Sequence, residues 1–259
     1  IFRNVLVGSE GTLAFIAEAV LKSVPDLPVK VTAFLLFPDL HAACAAIIPL
    51  RDAGAAALEL LDRASLKSVE NQPGIPPSIK SLPEGAAALL VEFHGRDESV
   101  RAELERTALA TTAGLKLLEP ARFTHDPVEQ ALFWKIRSGT FPSVGAVRKR
   151  GTTVLIEDVA FPIESLADAA VDLTKLFAKH GYDEAIIFGH AKDGNLHFVI
   201  TQSFNDQAAV DRYERFIDDV VELVVKKYDG ALKAEHGTGR NMAPFVEAEW
   251  GPEAKAVME

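Results

Sequence analysis

The sequence predicts an α+β fold: a ferredoxin-like antiparallel sheet with helices on one face, in duplicated β-α-β units around a helical insertion. Three observations carry that expectation. Short β-prone runs and amphipathic helical stretches follow one another in a β-α-β-β-α-β order, twice over. The 259 residues are 48% hydrophobic and 25% charged, which suits a soluble chain with an ordinary core. An Asp193-Gly194 pair lies between two apolar runs, a strong short-range hairpin signal.

Residues 1–24 read as a strand, a glycine turn Gly8-Ser9-Glu10-Gly11, and Leu13 to Leu21 as strand or helix. Pro25 to Pro28 serves as a linker, Val29 to Phe37 as a strand, Leu40 to Ala53 as an Ala-rich helix, and Ala55 to Leu61 as a strand. Asn71 to Pro83 holds four prolines and reads as a surface loop. Ala87 to His94 is a strand, followed by a helix over Glu98 to Ala113 with Val100, Leu104 and Ala108 on one face. Pro120 to Gly145 contains the aromatic helical insertion Phe133-Trp134-Lys135-Ile136-Arg137. Thr152 to Phe161 reads as a strand, and Ile163 to His180 as a helix with Leu166, Ala170, Leu173 and Phe177 inward. Glu184 to Gly189 and Asn195 to Thr201 form the hairpin. A long helix over Asp206 to Lys227 carries Val210, Tyr213, Ile217, Val221 and Val224 on its stripe, and Ala231 to Ala234 is a last short strand.

With 27 basic against 37 acidic residues the net charge is −10, so no sequence-independent grip on nucleic acid is expected. The single cysteine, Cys44, excludes an internal disulfide or a Cys-rich metal site and reads as a buried structural thiol. No apolar run approaches the ~18 residues needed to span a bilayer, and there is no signal-peptide layout. A reducing cytoplasmic setting fits, with room for peripheral attachment to the inner membrane. The chain opens inside a strand without an initiator Met and stops in a helical stretch, which reads as a piece of a longer polypeptide.

The chemistry concentrates in Phe188 to Phe198 and in Ala234-Glu235-His236-Gly237. A two-residue turn at Asp193-Gly194 would pair His190 with His197, Cβ atoms roughly 4.5–5.5 Å apart on one face. Both imidazoles could then hold one divalent ion at about 2.0–2.1 Å, with Glu235 as third ligand and positions left open for substrate. His-x6-His spacing alone is not specific, and an isolated histidine is commonly structural. The combination with Glu235-His236 turns the balance toward a metal site. His236 is the general-base candidate, since an unperturbed imidazole titrates near pH 6.5. Arg137 is a candidate clamp for a carboxylate or else an ion-paired surface residue. Position 7 is Val, so Gly8-Ser9-Glu10-Gly11 is no nucleophile elbow, and neither a P-loop nor a Rossmann fingerprint is present. A metal-dependent hydrolase and a non-catalytic metal-binding domain stay open.

Together, Gly8-Ser9-Glu10-Gly11-Thr12-Leu13, Glu157-Asp158-Val159-Ala160-Phe161-Pro162, Phe188 to Phe198 and Ala234 to Gly239 resemble the flavin-linked D-2-hydroxyacid dehydrogenases and oxidases of the vanillyl-alcohol oxidase type. The likeness is to their C-terminal, substrate-binding domain. The segments around Phe133 to Arg137 and Leu232 to Asn241 are similar to a branch with an N-terminal FAD domain and a C-terminal iron–sulfur domain. The resemblance implies residues 1–24 as the tail of the FAD-binding domain and 25–259 as the substrate- and metal-binding domain. It implies oxidation of D-lactate or D-2-hydroxyglutarate to the 2-oxo acid, with electrons leaving to an iron–sulfur centre or quinone outside this chain. By position, His190, His197 and Glu235 would hold the metal (zinc first, iron or manganese as alternatives), and His236 would take the hydroxyl proton. Arg137 and Asn195 would bind substrate, while Gly8, Ser9, Gly11, Thr12 and Ile16 would touch FAD. A homo-oligomer is compatible with all of this. Two positions depart from relatives specific for dicarboxylates: Val199 stands where they carry asparagine, and Ile156 where they carry lysine. Arg148, Lys149 and Arg150 could substitute for that lost group, against the commoner reading of a solvated loop.

Overall fold

The computed structural model describes residues 2–7, 9 and 11–259. Six strands form one sheet: β1 (Val29–Phe37), β2 (Ala57–Leu61), β3 (Ala87–Gly95), β4 (Thr153–Ala160), β5 (Ile186–His190) and β6 (Asn195–Gln202). Their order is β1-β3-β2-β5-β6-β4, and every neighbouring pair is antiparallel. From either edge the order runs first, third, second strand of a half, so two like halves meet where β2 pairs with β5. After its second helix each half returns to its own first strand through isolated bridges, Thr32 to Thr124 in the first half and Ala160 to Ala231 with Asp158 to Lys233 in the second. That completes the doubled β-α-β-β-α-β order read from the sequence.

The helices are α1 (Phe2–Val7), α2 (Leu40–Ala45), α3 (Ile47–Asp52), α4 (Arg63–Val69), α5 (Arg101–Thr112), α6 (Pro127–Val147), α7 (Leu166–Lys179), α8 (Gln207–Val221), α9 (Gly239–Met242) and α10 (Val246–Met258). The main core lies between one sheet face and α2, α3, α5, α7 and α8, where Phe37, Leu60, Phe93 and Phe198 meet Ile47, Leu173, Phe177 and Phe216. Cys44 is buried there as expected, and burial pushes its thiol up to about 12. The helical insertion α6 lies on the second face with α4, burying Ile136 against Leu36, Leu61 and Ala88, and Val144 against Phe188 and Val199. Asp126 caps α6 through Val128 N at 3.0 Å, and Pro127 opens its first turn, where a missing N–H costs nothing.

Several local expectations differ. Phe2–Val7 is helical rather than extended: among the described residues no strand pairs with it, and its backbone groups bond within the segment. Leu13 to Leu21 takes no regular structure, and Phe15, Val20 and Leu21 are exposed. The Leu40 to Ala53 helix breaks at Ala46, where Pro49 supplies no N–H to continue the ladder. Of the stripe on the long helix, Val210 is exposed while Ile217, Val221 and Val224 are buried. Ala231 to Ala234 makes two isolated bridges rather than a strand. Ala231 and Ala234 N–H reach Ala160 O and Asp158 O, but Leu232 N–H goes to Glu249 Oε2 and Ala234 N–H is shared with Asp158 Oδ2. Among the described residues no helix is long and apolar enough to cross a membrane.

Candidate active site

The hairpin brings the two histidines together, though not in the expected register. Phe188, not His190, lies opposite His197. A two-residue primed turn needs positive φ at its first central residue, and in the type I′ turn that Asp-Gly favours at both. Gly194 supplies it at +72°, but Asp193 does not, so a 3₁₀ turn over Ala191–Asp193 lengthens the loop. The slip is two residues, and side chains alternate with period two, so His190 stays on the face of His197. Their rings meet edge to face with centroids 5.4 Å apart.

Glu235 joins them. Its Oε1 lies 3.2 Å from His190 Nε2 and 3.3 Å from His197 Nε2. Donors about 2.1 Å from one ion, at octahedral or tetrahedral angles, stand about 3.0–3.4 Å apart. Both spacings to the shared Glu235 oxygen fall within that range. A carboxylate stands behind each imidazole, as ligating histidines require. Glu59 Oε1 is 2.7 Å from His190 Nδ1, and Asp158 Oδ1 is 3.0 Å from His197 Nδ1, the latter out of line for a full hydrogen bond. Nε2 of each ring is thereby left to face Glu235.

Asp158 explains how adjacent Glu235 and His236 reach one side. Its Oδ2 accepts from the backbone N–H of Ala234, Glu235 and His236 at 2.9, 2.6 and 2.8 Å, curling the chain around one oxygen. Its Oδ1 accepts from Asn195 Nδ2 at 2.6 Å. Burial opposes the charge, yet these donors and His197 together hold its carboxyl well below the usual carboxylate range. His236 is thus laid parallel on His197 at 4.8 Å, with its Nε2 3.9 Å from Glu235 Oε1. Asp158, His197, Glu235 and His236 also offer donor atoms within 4.8 Å of one another. Asp158 is the poorer ligand of that group, because both of its oxygens are already engaged.

Arg137 enters through Glu59. Its Nε donates to Glu59 Oε2 at 2.7 Å, and the guanidinium lies over Phe188, 4.8 Å from the ring centroid. The same helix is held one turn earlier by Trp134 Nε1, which donates to buried Glu92 at 3.1 Å. The floor of the site, His197 and Asp158, is buried, while Glu235, His190 and His236 have half-exposed side chains.

Other candidates lie differently. Asn195 is buried and spends its amide on Asp158 and on Val159 O at 3.1 Å, leaving only its carbonyl oxygen to a ligand. Gly8 lies outside the described residues. Ser9 and Thr12 form a local turn, Ser9 Oγ donating to Leu6 O and Thr12 Oγ1 to Ser9 O, with Gly11 at positive φ and Ile16 exposed. Val199 pairs with Ile156 on the face of His197, and both sit in an apolar cluster with Phe188. Arg148 is spent on Gly145 O and Thr152 O, at the far end of β4. Five residues of strand at about 3.3 Å each put Thr153 about 17 Å from Asp158. A cleft of about 940 Å³ lined by Arg63, Lys67, Phe177 and Tyr182 shares none of the site residues. Convergent chemistry, not volume, identifies the site.

Sequence reading missed Glu59 and the role of Asp158. The available signal was a carboxylate inside an otherwise apolar strand run, Ala57-Leu58-Glu59-Leu60-Leu61.

The chain is 29% identical over 255 residues to the glycolate oxidase subunit GlcD of Bacillus subtilis, covering 94% of this chain and 50% of that protein. It is 28% identical to a probable mitochondrial D-lactate dehydrogenase of Danio rerio, covering 99% and 50%. With the mitochondrial D-2-hydroxyglutarate dehydrogenase of Arabidopsis thaliana identity is 26%, covering 99% and 44%. The chain thus spans about half the length of these relatives. Its fold is similar to an alkyldihydroxyacetonephosphate synthase structure, with a TM-score of 0.64, 18% identity and coverage of 98% and 49%. A 4-ethylphenol oxidase from Gulosibacter chungangensis gives a TM-score of 0.54 at 12% identity, covering 86% and 49%. Matched over residues 27–259, the chain belongs to the family of FAD linked oxidases, C-terminal domain.

Proposed function

We propose that this chain is the substrate-gripping part of a flavin-linked dehydrogenase that oxidises a D-2-hydroxy acid to the 2-oxo acid. The observation that carries it is the convergence of His190 and His197 Nε2 on one Glu235 oxygen beside His236. Residues 1–24 are then the tail of the FAD-binding domain and 25–259 the substrate domain.

A divalent ion, zinc before iron or manganese, would be held by His190, His197 and Glu235 and would supply Lewis-acid polarisation of the substrate's oxygens. FAD, contacted by this chain at Gly8, Ser9, Gly11, Thr12 and Ile16, would supply the hydride acceptor, with electrons leaving to an iron–sulfur centre or quinone outside this chain. Arg137 holds the substrate carboxylate with its terminal amino groups, fixing the hydroxy carbon relative to the histidines. His236 takes the hydroxyl proton at Nε2, and its exposed edge passes that proton to water. Asp158 keeps His236 in place through the backbone rather than touching substrate.

Of the substrate classes, a small acid of the D-lactate kind fits better than D-2-hydroxyglutarate. Val199 and Ile156 form an apolar pair beside Phe188 and offer no donor to a second carboxylate, and the basic run at Arg148 lies far along β4. A hydrolase reading loses its support from the family, which is one of oxidases.

The test is metal analysis of His190→Ala against the parent, followed by turnover of D-lactate in the flavin-loaded protein. Metal content falls in the variant and turnover falls with it. Unchanged metal content would refute the coordination, and hydroxy-acid oxidation by residues 1–259 with no flavin would refute the redox assignment.

A further inference from the structure

We propose that Glu59 is a positioning residue that couples the carboxylate-holding arginine to the metal-holding histidine, so that both grips form as one unit. The inference rests on the function proposed above and adds a residue to it. Glu59 stands in the middle of the β2 apolar run and is only 6% exposed. Both of its oxygens are committed, Oε2 to Arg137 Nε and Oε1 to His190 Nδ1, each at 2.7 Å. A buried carboxylate without a cation beside it is costly, and Arg137 is the cation that accompanies Glu59. Glu59 Oε1 is an acceptor for the N–H of His190 Nδ1, which turns Nε2 of that ring toward Glu235. With its Nε spent on Glu59 and its plane held over Phe188, Arg137 can present only its terminal amino groups. One side chain therefore sets the tautomer of a ligand and the direction of a clamp. It does so where the two halves of the sheet join, since Glu59 is registered opposite His190 across β2 and β5.

Glu92 on β3 supplies the control. It too is buried and ties α6 to the sheet, accepting from Trp134 Nε1 at 3.1 Å and from Thr32 Oγ1 at 2.8 Å. Its histidine partner is His94, 2.7 Å away, which is not part of the site. Glu59 and Glu92 thus share the task of pinning α6, and only Glu59 touches a site histidine.

The experiment compares Glu59→Gln with Glu92→Gln. A glutamine offers one acceptor and one amino group, so it cannot accept from Arg137 and His190 through both atoms at once. Zn2+ affinity is read by chelator competition, and KM against kcat for D-lactate in the flavin-loaded protein. In E59Q the Zn2+ dissociation constant rises roughly 10- to 100-fold and KM rises with it, while in E92Q the Zn2+ constant stays within about twofold of the parent. Equal weakening in both variants would mean Glu59 merely pins α6, and the coupling would be wrong. Parent-like Zn2+ affinity in E59Q would overturn it as well, leaving the proposed function intact. A parent that binds no Zn2+, Mn2+ or Fe2+ at all would instead bring down the proposed function, and this inference with it.

Discussion

Asp158→Asn separates the scaffold of the site from its ligands, because Asp158 holds the 234–236 loop without being free to bind anything else. Oδ2 serves three backbone N–H groups and Oδ1 serves Asn195, with His197 alongside. Asparagine keeps the shape and removes the charge. Its least costly placement leaves the carbonyl on the three N–H groups and turns the amide toward Asn195, which must then flip and give up Val159 O. Three charge-assisted bonds become neutral, each weaker by about 1 kcal/mol, and one further bond worth about 1 kcal/mol is lost. The loop therefore loses about 4 kcal/mol, most of it local, since the bonds tie a peripheral turn rather than the core. His197 also meets a donor in place of a carboxylate, which favours the tautomer protonated at Nε2 and unable to ligate. Amide exchange of Ala234, Glu235 and His236, together with Zn2+ titration, reads both effects. Exchange should speed by two to three orders of magnitude (about 1.4 kcal/mol per decade) and Zn2+ affinity should fall. Parent-like protection of those three amides would refute the clamp.

Two further outcomes follow from the same structure. Burial, helped by the charge of Asp158 and opposed by the Asn241 hydrogen bond, pushes Glu157 up to about 7. A folded state that keeps this proton longer than the unfolded chain loses stability as pH rises from about 4.5 to about 7, by at most about 3 kcal/mol. Glu157→Gln should remove that slope in urea unfolding measured from pH 4.5 to 8, and a parent-like slope in the variant would count against it. At Gly194, a Cβ would stand 2.2 Å from Phe161 O at a φ of +72°. Gly194→Ala should cost about 3 kcal/mol or more by denaturant midpoint, since the left-handed conformation alone costs about 1–2 kcal/mol. A loss under about 1 kcal/mol would mean the turn relaxes freely.

Much of the site was legible in the chain, and the gaps have physical causes. His190, His197, Glu235 and His236 were legible because each sits beside a turn signal that forces nearby residues together. The hairpin register was misread because Asp193-Gly194 was given a two-residue turn, and only the φ of Asp193 decides otherwise. Arg137 was placed near the site by residue type, without the partner that aims it. The edge segments were misread for another reason: Phe2–Val7 has strand-like composition, but composition cannot supply a neighbouring strand.

Most strands and long helices with their order, the doubled β-α-β-β-α-β pattern and the short segments that carry the chemistry can be read from the sequence alone. Those properties depend on periodicity and turn residues within about ten positions of one another. Tertiary structure decided which groups complete the site. Glu59 meets Arg137 from 78 residues away and His190 from 131, and Asp158 meets the 234–236 backbone from 76 to 78. No local spacing encodes such contacts. They exist because β2 pairs with β5, α6 packs on that face of the sheet and Asp158 bridges to Lys233, and because a buried carboxylate must find a donor wherever the fold brings one.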